Sequence, residues 1–284
     1  METEDNKPPH KGLKKGLYLI PTAFTAANVG MGFLAVLYSI RGFHTVYSNP
    51  DTSAYYFNFA GIAIGLAILF DTLDGRVARM TRTATEIGVQ FDSLADVLTF
   101  GIAPIALIYS WAIAPTFNEQ SPAYAFGVFL LFMYLMCGAF RLARFNLQAT
   151  RPRVLIEGTP KVDKKNFVGL PIPPAAGLMA SIVHFAPKPL NAYGEMGSFY
   201  AYLMMILLAV LGVLMVSTIK YSSFKSKGTG RRNLYLILLI AAVGMLIWLY
   251  SKYMLIILSI LYVSHGIVWQ LFSMLRPRKA EAEA

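Results

Sequence analysis

The chain has 284 residues, of which 56% are apolar and 14% charged. Soluble globular chains carry about a quarter charged residues, so water is not the main solvent here, and disordered, coiled-coil and collagenous classes are excluded. The 25 Lys and Arg against 15 Asp and Glu leave a net charge of +10, which suits nucleic acid, anionic lipid or the inside loops of a membrane protein until the charges are placed.

Apolar stretches long enough to cross a hydrocarbon layer of about 30 Å are predicted at 17–41, 54–74, 89–114, 123–147, 171–187, 198–219, 233–249 and 253–275. The first follows Lys11, Lys14 and Lys15 and is too long for a cleavable signal. It holds Asn28, polar at membrane depth, for which a hydrogen bond to a neighbouring helix is expected. Gly30 and Gly32 in this span, and Gly61 and Gly65 in the second, would let helices approach closely and would permit a homodimer. The single cysteine, Cys137 in the fourth span, forms no internal disulfide and reads as a packed small side chain. Pro171, Pro173 and Pro174 open the fifth span, since proline is tolerated in a first helical turn, and His184 and His265 read as packing residues.

Only helices or closed barrels satisfy the backbone in lipid, and spans of this length without alternating polarity are helices. The expected fold is therefore an all-α, polytopic membrane bundle of eight transmembrane helices. Placing both termini in the cytoplasm puts 22 of the 25 basic residues on the inside and leaves Arg41, Lys188 and Lys252 outside. Topology thus accounts for the net charge, and the nucleic-acid reading falls away.

The connection between the second and third spans carries Asp71 and Asp74, then Asp92 and Asp96. Spacings of three and four put each pair on one face of its helix, and a short connection makes the helices antiparallel neighbours, so the pairs can face each other near the cytoplasmic boundary. At a helix centre each Asp would cost about 2.5–3.5 kcal/mol, and four clustered acids repel. Either Arg76, Arg79 and Arg82 or bound cations must neutralise them. Oxygen-only ligands suit Mg²⁺ or Mn²⁺ rather than zinc or copper. Gly75, Ala78 and Gly88 remove bulk beside the acids and leave space for a ligand. Two divalent ions held by carboxylates can clamp a diphosphate, while a further carboxylate, for which Asp96 is the choice, takes the proton of an attacking hydroxyl. A cation-transport path is the competing reading, but it would spread ionisable groups over several depths.

These residues spell D-x2-D-G-x2-A-R-x8-G-x3-D-x3-D from Asp71 to Asp96, which resembles the signature of the CDP-alcohol phosphatidyltransferases. All eight fixed positions are present, a coincidence on the order of one in 10¹⁰ at ordinary residue usage. The resemblance implies a membrane enzyme that takes CDP-diacylglycerol and an alcohol and releases CMP. It implies that Asp71, Asp74 and Asp92 hold a metal pair, that Asp96 completes the site and acts as base, that Gly75 and Ala78 make room for cytidine beside Gly88, and that Arg79 faces the nucleotide phosphates. Arg141-Leu142-Ala143-Arg144-Phe145-Asn146, Gly169-Leu170-Pro171-Ile172-Pro173-Pro174 and Ser217 through Lys225, with two spans beyond a six-helix core, are similar to the integral-membrane phosphatidylserine synthase branch. The implied acceptor is L-serine, with Arg141, Arg144, Asn146 and Lys225 as its candidate ligands. The two arginines and Lys225 also read as flanking charges, and phosphorylated alcohols would attract them equally. The corresponding division of the chain is an interfacial arm at 1–16, the core at 17–225, two further helices at 226–275 and a tail at 276–284.

Overall fold

The computed structural model describes residues 11–81, 86–150, 166–222 and 242–275. Two long helices, α1 (Lys11–Thr45) and α2 (Pro50–Thr81), form an antiparallel hairpin. Asn49 caps α2 by accepting the Thr52 N–H at 3.0 Å, and Pro50 follows at the first helical position, where its missing N–H costs nothing. Near this turn the two helices almost touch. A Cβ on Gly42 would lie 2.6 Å from the Phe57 ring, and Ser53 donates to the Gly42 carbonyl at 2.8 Å.

The third crossing is one continuous helical path that changes pitch. It runs through α3 (Glu86–Asp96), a π-helical segment (Val97–Ile102), α4 (Ala103–Ile108), a second π-helical segment (Tyr109–Ile113) and α5 (Ala114–Thr116). Prolines sit just after both wide turns, at Pro104 and Pro115. Pro104 has no N–H to offer the Phe100 carbonyl four residues back, and the buried hydroxyl of Tyr134 donates to that carbonyl at 3.1 Å. Tyr134 belongs to α6 (Pro122–Thr150), which starts at a Ser121 whose hydroxyl accepts the Tyr124 N–H.

At the centre lies α7 (Ile172–Phe185), only 14 residues long, with Ile172, Ala176, Met179 and Val183 among its buried residues. Its first turn contains Pro173 and Pro174 after Pro171, as expected. Gly61 brings α2 within 3.0 Å of the Ala180 carbonyl for a built Cβ, and Gly32 packs on Thr99, whereas Gly30 and Gly65 have nothing within 4 Å. Two of the four expected close-approach glycines therefore serve helix contacts within the chain.

A short 3₁₀ turn (Leu190–Tyr193) leads to α8 (Glu195–Val216). An antiparallel ribbon of β1 (Asn166–Val168) and β2 (Lys220–Ser222) is the one departure among the described residues from the all-helical expectation. It joins the start of α7 to the end of α8: Gly169, at φ 82°, donates to Ile219 at 2.8 Å, and Leu170 donates to Leu214 at 3.0 Å. The chain ends in α9 (242–249) and α10 (Ser251–Leu275).

Among the described residues six helices are long and apolar enough to cross a membrane: Ala23–Thr45, Pro50–Val77, Gln90–Thr116, Pro122–Leu147, Glu195–Val216 and Ser251–Gln270. With the shorter α7 they correspond to seven of the eight expected spans. The remaining one, 233–249, falls largely outside the described residues. Large apolar side chains such as Phe129, Phe132, Ile206 and Trp269 are exposed on the outer helices, as lipid-facing residues are.

The end of the bundle away from the aspartates is pinned by polar contacts. His184 joins three helices through Asn58 Oδ1 at 2.7 Å and Ser251 Oγ at 3.0 Å. Lys188 pairs with Asp51 at 2.9 Å, and the Trp111 indole donates to the Lys188 carbonyl at 2.8 Å. His184 is thus more than the packing residue expected.

The glycines give a paired test. Gly169→Ala forces a side chain into positive φ and against the Met215 carbonyl, so it should destabilise the protein by at least about 1–2 kcal/mol. Gly30→Ala meets open space on a helix and should be neutral or stabilise by up to about 1 kcal/mol. Thermal unfolding of the detergent-solubilised proteins checks both signs.

Candidate active site

The four acids stand at the adjoining ends of α2 and α3, and the structure divides them into three and one. Asp71, Asp92 and Asp96 are half-buried, and each offers a carboxylate oxygen within 4.8 Å of the others. Asp74 is more deeply buried, at 6% exposure, and accepts a hydrogen bond from the Thr25 hydroxyl of α1. Its charge still acts on Asp71 and Asp92. The helical spacing therefore brings both pairs together across the hairpin, as expected, while α1 holds one member by a separate hydrogen bond.

The choice between arginine and metal as counter-charge can now be weighed. Among the described residues no Lys or Arg lies within 4.0 Å of any of the four carboxylates. Arg76 is exposed, while the side chains of Ala78, Arg79 and Arg82 lie outside the described part. One oxygen of Asp96 is buried with no hydrogen-bond partner among the described residues. A dry carboxylate oxygen beside two further carboxylates is expensive alone, and an all-oxygen cluster of this kind suits a hard divalent cation.

Directly beyond Asp96 the helix widens into its first π segment, a feature frequent at functional sites. Thr99, on the inner side of that segment, donates to the Asn28 carbonyl at 3.4 Å. Gly32 makes this approach possible, since its Cβ would sit 2.7 Å from the Thr99 hydroxyl. The Asn28 side chain is fully buried, and neither of its amide atoms has a partner among the described residues. The helix-to-helix bond expected of that side chain is made by its backbone instead.

The end of α6 closes the other side. Asn146 donates to Ser93 Oγ at 2.8 Å, which fixes α6 on α3 between Asp92 and Asp96. Arg141, one turn earlier, is 8% exposed; its charge interacts with Asp96 and with the Tyr262 hydroxyl of α10, and its Nε is buried without a partner among the described residues. Arg144 is half-buried, Gly75 is half-buried beside Asp74, and Gly88 is exposed at the start of α3. Lys225 lies outside the described residues. Thr25, Ser93 and Tyr262 were not singled out from the sequence. Thr25 had a signal, since it shares a helical face with Asn28 in an otherwise apolar span; tyrosine in a terminal membrane helix is too ordinary to give one.

Known proteins are similar to this chain over most of their length. A Helicobacter pylori protein named CDP-diacylglycerol--serine O-phosphatidyltransferase is 32% identical over 260 residues, which cover 92% of this chain and 94% of that one. A Methanocaldococcus jannaschii protein of the same name is 30% identical over 203 residues, covering 72% and 73%. The archaetidylserine synthase of Methanothermobacter thermautotrophicus is 34% identical over 211 residues, covering 74% and 72%. Residues 18–214 match the CDP-alcohol phosphatidyltransferase family, a stretch that runs from α1 through α8 and encloses the aspartate hairpin and both arginines. With the family's membrane helices and its acidic signature both in place, the chain belongs to the CDP-alcohol phosphatidyltransferases.

Proposed function

We propose that the chain transfers the phosphatidyl group of CDP-diacylglycerol to the hydroxyl of L-serine, giving phosphatidylserine and CMP, at the cytoplasmic face of the membrane. The observation that carries this reading is the carboxylate cluster of Asp71, Asp92 and Asp96 with Arg141 acting on its deepest member, in a chain whose relatives are named for serine transfer.

Asp71, Asp74, Asp92 and Asp96 are the residues that would hold two divalent cations, Mg²⁺ or Mn²⁺. Bound there, the cations would polarise the diphosphate and offset charge on the departing nucleotide. Gly75, Ala78 and Gly88 would leave room for the cytidine and Arg79 would meet its phosphates, as the family resemblance implies. The diacylglycerol tails remain in lipid and enter between helices. Arg141, Arg144 and Lys225 supply positive charge for the serine carboxylate, and Asn146, fixed by Ser93, orients the acceptor. Asp96 takes the proton of the serine hydroxyl as its oxygen forms a bond to the phosphorus bearing diacylglycerol. The bond from that phosphorus to the oxygen bridging to CMP breaks, and CMP leaves with the electron pair. The sequence has no H-x-K-x4-D motif, so no histidine is set up as a covalent carrier.

Three outcomes follow. Purified protein given labelled CDP-diacylglycerol and Mn²⁺ should release CMP with L-serine but not with glycerol-3-phosphate or inositol phosphate; no serine-dependent CMP release in that panel would reject the acceptor. Asp96→Asn should keep donor binding while turnover falls by about 10²–10⁴-fold, and unchanged turnover would remove Asp96 from the base role. Direct attack inverts configuration at phosphorus, so a chiral thiophosphate donor should yield inverted product, and retention would require a covalent intermediate.

A further inference from the structure

Tyr262 lies on α10, beyond the residues 18–214 that match the family, yet it is within electrostatic range of Arg141, and Gly138, one turn before Arg141 on α6, packs on Ile172 and Met215 at the base of the β1–β2 ribbon. A tyrosine in a terminal membrane helix ordinarily anchors its tip among lipid headgroups. This one is half-buried and packed inward. Its ring stacks on that of Tyr221 at 6.1 Å between centroids and 18° between planes. Tyr221 is fully buried, and its hydroxyl donates to the Val263 carbonyl at 3.4 Å. One turn further on, Gly266 lies so close to the Tyr221 ring that any side chain there would overlap it.

Tyr221 is itself held. It sits in β2 opposite Phe167, and the ribbon continues into Gly169, which is bonded to Ile219. The ribbon, the ring stack and the glycine contact together form a bracket that fixes Tyr262 against the site. A stack of this kind stabilises beyond area burial and favours one position of the phenol.

We propose that Tyr262 is a specificity-determining residue of the acceptor pocket, its hydroxyl and the Arg141 guanidinium together receiving the carboxylate of an amino-acid acceptor. This rests on the serine reading given above. The chemistry fits that class. A guanidinium offers N–H donors in a plane, and a phenol beside it adds a neutral O–H donor. The phenol adds a directional donor without adding charge, which suits a carboxylate of single charge. The C-terminal helix is in this account a part of the site and not an appended anchor.

Tyr262→Phe keeps the ring stack and removes only the hydroxyl, so the variant folds as the parent does. It is assayed as purified full-length protein with CDP-diacylglycerol and Mn²⁺, offering L-serine or serinamide, whose carboxamide carries no charge. The KM for L-serine should rise about tenfold, the loss expected for one hydrogen bond to a charged group, with the KM for CDP-diacylglycerol unchanged within about twofold. The preference for L-serine over serinamide should fall by the same tenfold or so. A preference equal to the parent's overturns the proposal, whether activity on both acceptors is kept or lost together. If the parent protein itself releases no CMP with L-serine, the serine reading fails first and the proposal with it. If the parent uses serine and the variant discriminates unchanged, only the role of Tyr262 is lost.

Discussion

Four carboxylates gathered where two membrane helices meet is the arrangement on which the rest of the structure turns. Each acid taken toward lipid carries a desolvation cost, and neighbours of like charge add to it. No described Lys or Arg comes within ion-pair distance of any of them. The protein relieves this only in part: Thr25 gives Asp74 one hydrogen bond, while an oxygen of Asp96 has no partner among the described residues. Among the described residues the acids thus lack paired positive charge, a condition that favours the uptake of hard cations.

The surrounding architecture separates rigidity from this unfinished chemistry. At the far end of the bundle His184 is matched to Asn58 and Ser251, Lys188 to Asp51 and Trp111 to a backbone carbonyl, while Thr116 and Asn191 each keep a buried oxygen without a partner among the described residues. At the aspartate end Asn28, Arg141 and Asp96 keep buried atoms without partners among the described residues. Buried polar groups are nearly always satisfied in folded proteins, and these three, on α1, α6 and α3, lie around the carboxylates of the proposed site. The stability that tolerates them comes from the packed core around α7 and from the pinned far end.

Much of this was readable from the chain, and the boundary of what was readable has a physical cause. Helical periodicity is local, so the spacing of Asp71 with Asp74 and of Asp92 with Asp96 was enough to place two pairs on facing helices. The proline run at 171–174 likewise gave the start of α7. Contacts between elements distant in sequence leave no such trace. The Thr25 bond to Asp74 spans 49 residues, and the Tyr134 bond to Phe100 depends on a π turn that hydropathy does not encode. Asn28 was noticed for its polarity and assigned a helix-to-helix hydrogen bond, because nothing in sequence says that the chain will bury an amide and leave it unsatisfied. The β1–β2 ribbon was missed because three-residue strands have no periodicity to detect.

The signature from Asp71 to Asp96 lies on two adjacent helices, where in the proposed reaction it meets the nucleotide-activated donor. The acceptor ligands proposed above come from other elements. Arg141 and Asn146 come from α6, more than forty residues beyond the signature, and Tyr262 comes from a helix outside the matched region altogether. The close fit of Gly266 on Tyr221 ties that outer helix to the ribbon next to the core. A helix added only for anchorage would need neither the glycine nor the stacked pair of rings. Under the proposal above, acceptor choice draws on the C-terminal side of the chain and donor chemistry on its first three crossings.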